Sequence, residues 1–146
     1  MSRQTMRAIA VGAAMFAAGF VARDVLPAAP AVHAQGAKVF ELRTYTAPEG
    51  KLPNLQARFR DHTRRIFDKH GMKSIGYWVP QDAPVHDNTL IYILEHKSRD
   101  AAKQSWAAFQ KDPEWQKVAN ESQVDGKIVA RVESVFMDAT DYSAIK

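Results

Sequence analysis

The sequence predicts an α+β fold in which a four-stranded antiparallel sheet carries its helices on one face. Three observations lead there. Four runs of β-forming residues are separated by two stretches whose apolar residues recur every three or four positions. Gly and Pro clusters punctuate the joins. The elements follow one another as βα, then ββ, then αβ, which is the split βαβ plan, with strands in the spatial order 4-1-3-2.

Each element has its own signal. From Lys38 onward, Phe40, Leu42 and Thr44 alternate with Glu41, Arg43 and Tyr45, giving a strand with two chemically different faces. Pro48-Glu49-Gly50 closes it. Leu52, Leu55, Phe59, His62 or Thr63, and Ile66 then form one helical stripe, with Pro53 in the first turn and Gly71 as the stop. Ser74 to Val79 is the second strand and Leu90 to His96 the third, apolar on both faces as a central strand should be. Ser98 caps a second helix with Ala102, Trp106 and Phe109 on one stripe. Pro113 opens a short further turn, and Lys127 to Met137 is the last strand.

Helices cover one side of such a sheet, so the other side needs an account. The last strand offers Ile128, Ala130, Val132, Ser134 and Phe136 to the helices and Val129, Arg131, Glu133 and Val135 to the outside. Placing Glu41 and Arg43 on that outer face predicts cross-strand pairs of Glu41 with Arg131 and of Arg43 with Glu133. A mixed, ion-paired outer face suits a homodimer.

Residues 1–34 read differently from the rest. Arg3 and Arg7 precede an apolar run from Ala8 to Ala22, and Val32-His33-Ala34 offers small or apolar residues where a signal peptidase reads. The segment is expected to be an export signal, with the mature domain at 35–146 periplasmic or secreted. An uncleaved anchor is the alternative, although a run of about 15 residues is shorter than the roughly 20 that span a membrane. On the anchor reading, this segment would be the chain's sole membrane contact.

Cleavage would take three arginines and one aspartate from the 20 basic and 16 acidic residues, leaving 17 and 15 and a formal charge of +2. The basic residues are scattered, and the cluster Arg58, Arg60, Arg64 and Arg65 is interspersed with Asp61 and Asp68, so no single-sign stripe for nucleic acid emerges. The chain has no cysteine, which excludes thiolate zinc sites and cysteine nucleophiles and leaves the core to hold the domain together.

ELRTYT near the start, KHGMKSIGYW, NTLIYILEHKSRDAAKQSW and the KDPEW corner closely resemble the NIPSNAP family, over roughly Val39 to Lys146. The resemblance implies a ferredoxin-like βαββαβ domain that pairs as a dimeric α/β barrel. It implies no defined activity, since the molecular role of NIPSNAP domains is poorly defined, and an exported copy departs from the mitochondrial setting of the animal members.

The chemistry-bearing residues are few. His62 on the first helix's stripe can switch protonation near neutrality, or can be a hydrogen-bonded histidine at the stripe's edge. His70 sits where the helix dipole favours a cation. The histidines show no metal-binding spacing, and neither a metal nor a cofactor is expected; a haem would need a histidine in a large apolar pocket. Tyr45, Tyr77, Tyr92 and Trp106, with Arg43 and His62, are the tentative ligand-binding set for a small apolar molecule, and ordinary core packing is the competing account. Two functions stay open: a homodimeric small-molecule-binding or interaction module, and a cofactor-independent monooxygenase or isomerase.

Overall fold

A computed structural model describes residues 38–146. The export segment expected at 1–34 lies outside the described residues. Strand β1 (Val39–Thr46) pairs on one side with β3 (Thr89–His96) and on the other with β4 (Arg131–Met137), and β2 (Lys73–Trp78) flanks β3, all antiparallel. The order β2-β3-β1-β4 is the expected 4-1-3-2 arrangement read from the other edge. The last strand is shorter than expected, because residues 127–130 only approach the sheet, through the Ala130 N–H to Thr46 carbonyl bond of 2.8 Å.

Helix α1 (Leu52–Arg58) runs through a π-helical turn at Phe59–Thr63 into α2 (Arg64–Lys69). Gly71, at φ 72°, supplies the left-handed stop. The extra residue of the π turn rephases the apolar stripe: Phe59 and Thr63 are buried, and His62 is turned to solvent. Thr63 tolerates burial because its hydroxyl donates to the Arg58 carbonyl at 3.2 Å.

Ser98 caps α3 (Arg99–Lys111) by accepting from the Ala101 N–H at 3.1 Å. Asp112 caps the next helix by accepting from the Glu114 N–H at 2.8 Å. What looked like a short turn after Pro113 is therefore a nine-residue helix, α4 (Pro113–Glu121). Capping and Pro at the first helical position explain the extra length. The same Asp112 receives His70 Nε2 at 2.6 Å and Lys69 Nζ at 2.7 Å, bracing the end of α2 against the start of α4. These donors hold its carboxyl well below the usual range. His70 thus serves a side-chain brace where the sequence suggested a helix-dipole role.

Residues directly opposite in antiparallel strands share a face. Arg43 lies opposite Tyr92 and Ser134, and Glu41 opposite Leu94 and Phe136. Tyr92 and Leu94 belong to the core with Leu55, Ile66, Phe67 and Phe109, so Glu41, Arg43 and Tyr45 point at the helices. The expected pairs of Glu41 with Arg131 and Arg43 with Glu133 do not form; Arg131 instead pairs with Glu133 along its own strand. The assignment failed because both faces of β1 carry apolar and polar groups, so alternation alone does not say which face is inside.

Candidate functional site

On the helix-facing side one row crosses the sheet: Tyr77, Tyr92, Arg43 and Ser134. Glu41 lies two residues before Arg43 on β1 and is 1% exposed. Its Oε1 accepts from Arg43 Nη1 at 2.6 Å and Ser134 Oγ at 2.7 Å. Its Oε2 accepts from Trp106 Nε1 at 2.7 Å and His96 Nε2 at 2.9 Å. The roughly four lone-pair directions of a carboxylate are thereby all used. Burial by itself would raise the pKa, but the four donors more than reverse it and bring it down to about 2. At neutral pH Glu41 is ionised and a weak base. Since a carboxylate only accepts, the His96 hydrogen in this contact is on Nε2, and its Nδ1 has no partner.

Arg43 lies over the Trp106 ring at 4.2 Å, and its Nη2 reaches the Tyr45 hydroxyl at 3.5 Å. Burial would lower its pKa, but the fields of Tyr45, Tyr92 and Glu41 keep it raised. Tyr92 is fully buried between Tyr45, at 5.3 Å, and Tyr77, stacked at 5.5 Å. Its hydroxyl has no hydrogen-bond partner, and burial pushes its pKa well up, so it stays neutral.

A second buried guanidinium approaches the same tyrosines from the helix side. Arg58, the last residue of α1, is 6% exposed and packs over Trp115 of α4 at 5.2 Å. Among the described residues no carboxylate pairs with it, and its Nε has no hydrogen-bond partner. Burial lowers its pKa, opposed only by Tyr45 and Tyr92. Arg58 also lines a groove of about 310 Å³ between α1, the end of α4 and the loop that follows.

The tentative ligand set is partly assembled. Arg43, Tyr45, Tyr92 and Trp106 meet under the helices, and Tyr77 stands at the edge of that group with its hydroxyl 2.7 Å from Ser74 Oγ. Tyr77 also lines a recess of about 210 Å³ with Trp78 and Arg64. His62 is not with them. It lies on the wall of the larger groove, because the π turn redirects it. Sequence reasoning missed Glu41, His96, Ser134 and Arg58. An available signal was that a buried Trp106 needs an acceptor for its indole N–H. Nothing in the sequence marked Arg58 among its neighbouring arginines.

Among the described residues no group of three or more His, Asp or Glu side chains is placed to hold a metal, and no helix is long and apolar enough to cross a membrane. No curated protein matches the chain. Its fold is similar to that of a NIPSNAP family protein of unknown function from Agrobacterium tumefaciens, 22% identical, with a TM-score of 0.66 over 78% of this chain and 98% of that one. An uncharacterised NIPSNAP-like domain protein from Burkholderia xenovorans is 16% identical, with a TM-score of 0.64 over 74% and 90%. SnoaB, a cofactor-independent oxygenase from Streptomyces nogalater, shares the fold more loosely, at 13% identity and a TM-score of 0.50 over 75% and 99%. The NIPSNAP family model matches residues 40–144, nearly all of the described chain. The chain belongs to the NIPSNAP family.

Proposed function

We propose that this NIPSNAP domain is a homodimeric module that binds a small molecule without transforming it. The observation that supports a binding role over catalysis is the state of the space between helices and sheet. Phe59, Phe67, Tyr92, Trp106 and Phe109 fill it ring against ring, with centroids 5.0 to 6.0 Å apart. Its carboxylate, Glu41, is held at a pKa of about 2 and has no lone pair to spare. Proton transfer near neutral pH needs a group tuned near that pH, and Glu41 is tuned away from it.

Pairing is supported by the sheet's outer face. Leu42 lies opposite Ile93 and Val135 on that face, with Val135 54% and Trp78 49% exposed. Lys73 with Glu95 and Arg131 with Glu133 stand around this apolar row as a charged rim. The Trp78 ring packs against Gly76, where a Cβ would stand 2.6 Å from it, so glycine there leaves room for the ring. A second copy meeting this face by two-fold symmetry would set apolar row on apolar row. The basic-then-apolar sequence pattern at 1–34 favours work in the periplasm or outside the cell, and the N-terminus of the protein recovered from its host, read by mass spectrometry, distinguishes a cleaved signal from a retained anchor.

Light scattering tests the dimer: the expected result is a dimer at micromolar concentration, with Val135→Arg weakening self-association by at least about tenfold. A monomeric wild type removes the proposal. Molecules that co-purify from the host, identified by mass spectrometry, should be recovered unaltered after incubation in air.

A second reading, a cofactor-independent monooxygenase or isomerase, draws on one feature. An unpartnered Tyr92 hydroxyl beside two guanidiniums is an arrangement that stabilises an enolate or similar oxyanion. An oxidised or isomerised product in the same incubation would decide for it.

A further inference from the structure

We propose that the groove beside α1 is the binding site of a small organic acid, whose carboxylate pairs with Arg58 and whose apolar body lies along Ala57, Val118 and Ile128. The inference deepens the binding-module reading and rests on it. Arg58 is 6% exposed and its charge is met by no carboxylate among the described residues, whereas Arg43, on the same tyrosines, has Glu41 at 2.6 Å. A buried charge without a counterion is strongly unfavourable unless something completes it. The Arg58 Nε, which has no partner, belongs to a side chain that lines the groove and leaves a carboxylate something to bond. The guanidinium fork matches a carboxylate's two oxygens.

The groove itself sets the class of acid. Its volume of about 310 Å³ accepts a compact molecule. Val118 and Ile128 are buried and offer it an apolar wall. At the rim Asp61, Glu121 and Asp125 face Lys51 and His62, and Lys51 is held by the Asp125 carbonyl at 3.0 Å. Such a rim does not concentrate polyanions. A singly charged carboxylate on an apolar body fits both the charge and the shape.

The test uses benzoate, phenylacetate and 4-phenylbutyrate beside the corresponding neutral amides, with the wild-type chain, read by calorimetry and by the fluorescence of Trp115, which stacks on Arg58. At least one acid is expected to bind saturably in the millimolar range or tighter, and its amide at least about tenfold more weakly. Arg58→Met, which keeps the stem on Trp115, should lose the preference for acid over amide, and Arg58→Lys should keep part of it. Equal binding of acid and amide, an undiminished preference in Arg58→Met, or no saturable binding by any of the three acids overturns the proposal. The wild-type acid-against-amide comparison stands even if a variant fails to fold. A monomer that still prefers acids would sink the dimer and leave this site standing. An acid returned oxidised would sink the non-catalytic reading and leave the site. A dimer indifferent to all three acids would do the reverse.

Discussion

Glu41 and Arg58 are both buried charges on the helix side of one sheet, and the fold treats them in opposite ways. Glu41 is given four donors from three strands and a helix, and its proton is driven off. Arg58 is given an aromatic ring and the fields of two tyrosines. A charge whose every lone pair is met is a cross-link: it fixes Arg43, His96, Trp106 and Ser134 in one geometry. A charge left without a counterion at the wall of a groove cross-links far less and leaves a place that an anion could complete. The difference separates the structural centre of this domain from its candidate binding site.

That contrast can be broken by mutation. Glu41→Ala strands the part-buried Arg43 guanidinium and three further donors, and should destabilise the domain by about 3 to 5 kcal/mol in urea unfolding. A loss below about 1 kcal/mol would mean the network is ornamental. Arg58→Met should go the other way, leaving stability unchanged or raising it by about 1 kcal/mol, because it removes an uncompensated charge and keeps the stem. If Arg58→Met proved as damaging as Glu41→Ala, the two charges would be alike and the contrast would be gone.

Acid titration sharpens the same comparison. Glu41 has a folded-state pKa depressed from 4.5 to about 2, so its contribution is fully present above about pH 4.5 and is lost as pH falls toward 2. After a discount for screening, the loss is about 2 kcal/mol. Other carboxyls held below their ordinary range by cationic neighbours, Asp112, Glu95 and Glu114, also take up protons as the solution is acidified. The difference between wild type and Glu41→Gln isolates the Glu41 part, and a difference that stayed constant from pH 6 to pH 2 would contradict the assignment. The smallest effect is expected from Ser134→Ala, which removes one neutral donor at 2.7 Å and should cost about 1 kcal/mol by the same unfolding measurement.

Much of the fold could be read before the structure. Strand order, the capped helix after Ser98 and the Gly71 stop follow from periodicity and from residues whose backbone preferences are strong. Corrections cluster where local pattern is ambiguous. The face of β1 is one such place, since Phe40 and Leu42 argue for one side being buried and Tyr45 for the other, and only the register with Tyr92 and Ser134 decides. His62 is another: the π turn moves the stripe by a residue, and Thr63, able to bond the Arg58 carbonyl, takes the buried position. Of the candidate set, Arg43, Tyr45, Tyr92 and Trp106 come together, as the density of aromatic residues suggested. Their meeting point, Glu41, was assigned to the wrong face.

The sequence alone determined what depends on neighbours along the chain: the elements, their order, the family resemblance and the absence of thiol chemistry. Tertiary structure alone decided which charges are answered. Glu41 finds His96 55 residues away, Trp106 65 away and Ser134 93 away, and no local pattern encodes such partners. Arg58 stands in a run with Arg60, Arg64 and Arg65 and is chemically identical to them. What sets it apart is burial against Trp115 with no carboxylate paired to it among the described residues, a property of the packed molecule and of no shorter stretch of it.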